Sequence, residues 1–224
     1  MRKLRTLHRW LGLLVFLQVL IWMGSGLVIS LVDAGVARGS TTLQQVSTTP
    51  LDAVAPQALT ALNLSPTVEN IRLTRIDGEP VYRLATPERV TLIHAETGRP
   101  LMIDAERARR IARASFAGDA SIVAATREER PAALAKFEGT AWRVGFGDSL
   151  ATDVYVDAAD GRVLGHRNNR SALVEFLLKL HFMDYNGGHD FNHPLIIVAA
   201  FLALWLALSG ALLLISSLRR VGLR

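Results

Sequence analysis

The sequence predicts an α+β fold in which two transmembrane helices flank a domain of two tandem units, each a helix followed by antiparallel strands. Three observations predict it: two long apolar runs lie near the ends of the chain, the excess positive charge sits beside those runs, and a ten-residue pattern occurs twice between them. The chain has 224 residues, half of them hydrophobic, and no cysteine. The lack of cysteine excludes a disulfide scaffold, a Cys-ligated zinc or iron–sulfur site and a Cys nucleophile.

Leu11 to Val32 is 22 residues without an ionisable side chain, and Leu195 to Ser217 is 23. Each exceeds the ~20 residues that cross the hydrocarbon core as a helix, the only single-segment structure that pairs its own backbone in lipid. Of the 25 Lys and Arg, seven are terminal: Arg2, Lys3, Arg5 and Arg9 at one end, Arg219, Arg220 and Arg224 at the other. The remainder holds 18 cations against all 20 acids, a net −2. The formal +5 is therefore a topology signal, and no nucleic-acid partner is expected. The positive-inside rule puts both termini in the cytoplasm and residues of about 33–192 on the other side of the membrane, the periplasm of a bacterial inner-membrane protein. A cleaved signal peptide ending near Gly24-Ser25-Gly26 is the rival reading of the N-terminus. The apolar run continues past those residues to Val32, however, and no A-x-A pattern follows closely after it.

The second span carries Ala199, Ala203, Ala207 and Ala211 at a strict four-residue spacing, and the first carries Gly12, Gly24 and Gly26. Small residues let helices approach closely in lipid, so these rows suit packing between the spans, between copies in a homodimer, or both. Ala as a mere helix former is the alternative.

Between the spans, Leu92 to Leu101 (LIHAETGRPL) matches Tyr155 to Leu164 (YVDAADGRVL). Gly98 and Gly161 each follow a His or Asp by four residues, the place for a turn that needs φ > 0. The preceding elements match as well. Leu51 to Leu62 and Ala105 to Phe116 read as amphipathic helices with Asp52 and Asp104 as N-caps. The first copy continues with strands Val68–Arg75, Val81–Thr86 and Val90–His94, the second with Ser121–Thr126, Ala141–Phe146 and Asp153–Asp157. The chain thus divides into a basic tail (1–10), a first span (11–32), a polar tether (33–50), two units (51–103 and 104–168), an interfacial helix with a His-rich loop (169–192), a second span (193–217) and a second basic tail (218–224).

A helix and antiparallel strands closing on Val156-Asp157-Ala158-Ala159-Asp160-Gly161-Arg162-Val163-Leu164 resemble the PepSY domain. Leu7-His8-Arg9-Trp10-Leu11-Gly12-Leu13 is similar to the opening of PepSY-associated transmembrane proteins. The stretch Leu180-His181-Phe182-Met183-Asp184-Tyr185-Asn186-Gly187-Gly188 and the later Leu208-Ser209-Gly210 resemble that family's return into the membrane. The resemblance implies two tandem PepSY-like units and covers essentially the whole chain. It further implies either an iron-regulated inner-membrane protein or ferric-siderophore reductase component, some of which carry haem between their helices, or a periplasmic module that binds or restrains peptidases. The reductases of that family have more than two spans.

The domain has no nucleophile elbow, no H-E-x-x-H, no P-loop and no G-x-G-x-x-G, and no catalytic residue is assigned. Three of the six histidines, His181, His189 and His193, fall within 13 residues beside Asp184, Tyr185 and Asp190. Imidazole suits Zn, Cu or haem iron, with carboxylates as supporting partners. This makes His181, His189 and His193 a candidate metal set, against a plain interfacial hydrogen-bond network. Pro194 reads as the first residue of the second span, capped by Asn192. The helix from about Ser171 to His181 presents Leu173, Phe176, Leu177 and Leu180 on one face, suited to the membrane surface.

His8 shares a helical stripe with Leu11, Gly12, Val15, Val19, Trp22 and Gly26. An ionisable group on such a face is a functional candidate; a position among headgroups beside Arg9 and Trp10 is the alternative. His8, His181 and His193 are therefore the candidate ligands of haem b; a bis-His site at His8 requires its twin in a symmetric dimer, and a periplasmic site pairs His181 with His193 or His189. His94 and His166, at strand ends, read as ordinary surface residues, with His94 stabilising a turn. Two functions compete: a haem-linked redox component whose domain docks a ferric siderophore or another periplasmic partner, and a non-enzymatic anchored module that recognises a peptide, peptidase or envelope protein, for example by β-augmentation.

Overall fold

The structure is a computed structural model, and it describes residues 2–33, 35, 40–44, 67–134, 136–185 and 193–221. The predicted helix 51–62 and its Asp52 cap, the Asn192 cap, His189 and Asp190 lie outside the described residues. The chain forms two compact units: Met1–Asp33 with Leu173–Arg224, and Ala34–Ala172.

The first unit is built on α1 (Arg2–Leu31) and the C-terminal helix α4 (Pro194–Val221). Both are long and apolar enough to cross a membrane. Pro194 opens α4 as expected, because its missing N–H is no loss in a first helical turn. The two helices run antiparallel: His8 meets Ser209, and Gly12 faces Leu206. Away from this seam the surface is apolar, with Leu14 at 66 % and Phe201 at 68 % exposure. Side chains of this kind belong in lipid.

The second unit contains two four-stranded antiparallel sheets of the same simple order. The first comprises β1 (Asn70–Ile76), β2 (Glu79–Ala85), β3 (Val90–His94) and β4 (Pro100–Leu101). The second comprises β5 (Ile122–Glu129), β6 (Thr140–Phe146), β7 (Asp153–Asp157) and β8 (Val163–Arg167). The repeat seen in the sequence is a repeat of structure. Gly98 donates to the His94 carbonyl and Gly161 to that of Asp157, both at 2.9 Å. Their φ angles are +69° and +73°. His94 Nδ1 accepts from the Glu96 N–H just as Asp157 Oδ1 accepts from that of Ala159, so His94 has the turn role its position implies.

Helix α2 (Ala105–Ser115) starts at Asp104, whose carboxylate accepts from the Arg107 N–H at 2.8 Å. It lays Ala108 and Ala112 onto a core shared by both repeats: Ile76, Val81 and Leu92 from the first, Val144, Val154 and Val156 from the second. The Arg83 guanidinium reaches the buried Asp160 carboxylate at 3.1 Å, a further link between the repeats. Residues 40–44, in the segment read as a tether, pack on the domain: Leu43 bridges to Phe116, and the Gln44 N–H donates to the Ser115 carbonyl at 2.7 Å.

Candidate cofactor site

The membrane unit brings two of the predicted histidines toward the two ends of α1. On α1 the stripe His8, Leu11, Gly12, Val15, Val19, Trp22 and Gly26 is half-buried and Ser25 is buried, whereas Leu13, Leu14, Leu17 and Leu20 are exposed. On α4 the sheltered row is Ala199, Ala203, Leu206, Ser209, Gly210 and Leu213. The alanine ridge therefore follows the seam only at first, since Ala207 and Ala211 are exposed. A strict four-residue spacing drifts by about 40° per step around a helix of 3.6 residues per turn, which carries the later alanines off the contact line.

At one end, His8 Nδ1 lies 2.7 Å from Ser209 Oγ. The Ser209 hydroxyl is also 3.1 Å from the Leu206 carbonyl of its own helix. A Cβ added at Gly210 would stand 3.2 Å from His8 Cε1, so the ring occupies space that the glycine leaves. Toward the other end of α1 a like arrangement recurs, with the serine now on α1 and the histidine on a third helix. Helix α3 (Asn169–Phe182) delivers His181 from its last turn. Met183, at φ +56°, then reverses the chain, while the Asp184 N–H returns to the Lys179 carbonyl. His181 Nδ1 lies 3.1 Å from Ser25 Oγ, and a Cβ at Gly26 would be 3.0 Å from His181 Cε1.

His8 and Ser25 are 17 residues apart on α1, about 26 Å at 1.5 Å per residue. The two imidazoles therefore sit nearly a hydrocarbon thickness apart. Along the same helix, Gln18 Nε2 and Trp22 Nε1 are buried without a hydrogen-bond partner.

The other predicted ligand behaves differently. His193 Nε2 donates to the Phe182 carbonyl at 2.8 Å, which ties the start of α4 to the end of α3. No group of three or more His, Asp or Glu residues able to hold a metal ion occurs among the described residues. His189, the third member of the expected metal set, lies outside them.

In the domain, the reading of His166 as a surface residue is overturned. Its ring is fully buried, with Nδ1 2.9 Å from Thr42 Oγ1 and Nε2 3.2 Å from Ser115 Oγ. Burial holds it largely neutral, with its pKa lowered to about 4. A strand-end position suggests exposure, but residues 40–44 and α2 cover this end of β8. Burial likewise pushes the Asp157 carboxyl above its usual range, and its contacts are those of a turn and of Arg162.

The donor set of the membrane unit fits haem. Each of His8 and His181 is held through Nδ1, and no hydrogen bond to either Nε2 occurs among the described residues. An imidazole steadied through one nitrogen and open at the other is the form in which histidine binds a metal. Sequence reasoning found both histidines but missed Ser25 and Ser209. The available signal was a Ser-Gly pair in each span, Ser25-Gly26 and Ser209-Gly210.

No curated protein and no solved structure matches the chain. The family model described as the PepSY-associated TM region does match, over residues 5–223. That match takes in both apolar helices and the two-sheet domain together, and the chain belongs to the PepSY-associated TM region family.

Proposed function

We propose that this chain is a haem-linked transmembrane redox component of the bacterial inner membrane, active in iron or siderophore handling as a homodimer formed through its transmembrane helices. The observation that carries this reading is the pair of imidazoles toward opposite ends of α1, His8 against α4 and His181 of α3 against Ser25, each anchored through Nδ1 with no hydrogen bond to Nε2 among the described residues. Bound haem b supplies one-electron redox chemistry. His8 and its twin in the second copy would hold one group near the cytoplasmic face, and His181 with its twin would hold another near the periplasmic face. The exposed Ala207 and Ala211 leave α4 a small-residue row for close contact with that copy.

The basic tails orient the pair. Arg2, Lys3, Arg5 and Arg9 remain in the cytoplasm, which puts the His181 end and the domain on the periplasmic side. There the domain takes up the ferric siderophore or other periplasmic carrier, while the lipid-facing leucines exclude water from the α1–α4 seam. His193 closes the mouth of α4 through the Phe182 carbonyl and so holds α3, and His181 with it, in place. A non-enzymatic, membrane-anchored recognition module is the second reading. It is favoured by β1, which ends its sheet among the described residues with Asn70, Ile71 and Arg72 exposed, an edge open to strand addition.

An absorption spectrum of the detergent-purified full chain, made in cells supplied with iron and a haem precursor, separates these readings. The redox reading predicts a Soret band with the α and β bands of low-spin bis-imidazole haem. A protein without a Soret band overturns it.

A further inference from the structure

We infer that Ser25 and Ser209 are positioning residues that set the tautomer of the imidazole each one meets, so that each Ser-Gly pair is a cradle presenting Nε2 as a bare lone pair. This deepens the redox reading and rests on it for the use made of Nε2; the tautomer itself requires no haem.

The argument starts from the single proton of a serine hydroxyl. Ser25 Oγ is 2.6 Å from the Ile21 carbonyl, and Ser209 Oγ is 3.1 Å from that of Leu206. A carbonyl only accepts, so each hydroxyl spends its proton on its own helix backbone. Toward the imidazole the hydroxyl is then an acceptor, at 3.1 Å from His181 Nδ1 and 2.7 Å from His8 Nδ1. Nδ1 must carry the hydrogen, which leaves Nε2 of the neutral ring unprotonated. The following glycine completes the cradle. A Cβ would come within 3.0 Å of His181 Cε1 at Gly26 and within 3.2 Å of His8 Cε1 at Gly210. A Cβ at either glycine would require the ring to shift by a few tenths of an ångström. The same device occurs once with the serine on α1 and once with it on α4. Two occurrences, one between α1 and α4 and one between α1 and α3, argue against chance packing.

A neutral acceptor has a further consequence. Partners of a ligating histidine tune its basicity, and a carboxylate acceptor strengthens it most. A serine whose own proton is engaged fixes the ring while adding little negative charge, which keeps the cost of burial beside lipid small.

The test is the tautomer of each histidine, read from long-range proton–nitrogen couplings of the ¹⁵N-histidine-labelled full chain at pH 8, in detergent, from haem-starved cells. His8 and His181 are expected almost wholly as Nδ1–H. Ser25→Ala should convert His181 to a mixture dominated by Nε2–H and leave His8 unchanged; Ser209→Ala should do the reverse. The unaffected histidine reports correct folding in each variant, and Ser25→Thr or Ser209→Thr should restore the native signal. Nε2–H in the native chain, or tautomers indifferent to both alanine changes, overturns the inference. Haem-fed protein without a Soret band but with Nδ1–H intact would sink the redox reading alone.

Discussion

Three histidines of this chain meet a serine, and the difference between the domain and the membrane unit lies in what meets the second nitrogen. In the domain, Ser115 Oγ is 3.0 Å from the Ala112 carbonyl and 3.2 Å from His166 Nε2, the same carbonyl–serine–imidazole chain found at Ser25 and Ser209. There, however, Thr42 closes the circuit on Nδ1 at 2.9 Å. His166 is therefore satisfied on both sides and serves the fold, fastening residues 40–44 and α2 to β8. Among the described residues, His8 and His181 are hydrogen-bonded on one side only. His166 lies wholly inside the domain, where polar atoms are normally paired, whereas the rings of His8 and His181 are only half-buried and have no hydrogen bond to Nε2 among the described residues.

Breaking the closed histidine should damage the domain and nothing else. His166→Ala leaves the Thr42 and Ser115 hydroxyls facing a cavity, at a cost of about 3 kcal/mol. Thermal unfolding of the full chain should show a large downward shift of the domain transition, with unchanged haem content per folded chain. Loss of haem in this variant would contradict the division of roles.

The smaller effect concerns pH. The folded pKa of His166, about 4, lies below the unfolded value of 6.5. The unfolded chain therefore takes up the proton first, and stability falls as pH drops from about 6.5 toward 4, by at most ~1.4 kcal/mol per pH unit. The stability difference between native protein and His166→Gln should shrink across that window and level off below it. Contributions from other groups, such as the raised Asp157 carboxyl, are common to both proteins and cancel. A difference independent of pH would show that His166 is not held neutral.

Local chemistry made much of this legible in the sequence. Span lengths, the Pro194 start, the Asp104 cap and the Gly98 and Gly161 turns each depend on residues close in the chain, and each stands in the structure where its chemistry requires. His8 was legible because its stripe contains its environment. The serine partners were not, because the contacts that define them span 201 residues for His8–Ser209 and 156 for His181–Ser25. Ser25-Gly26 alone resembles the small residues of a processing site, and only its juxtaposition with an imidazole gives it another meaning. His166 misled for the same reason: Thr42, its cover, comes from a polar segment 124 residues earlier that carries no periodicity.

The proposed redox role requires the imidazoles of His8 and His181 to hold cofactor between two copies of the chain. Haem per chain, measured as pyridine haemochrome on the purified chain, tests it most directly. Two shared bis-His sites predict about one haem per chain, about half of that in either His8→Ala or His181→Ala, and none in the double variant. Native protein devoid of haem, or a double variant that retains it in full, would contradict the account.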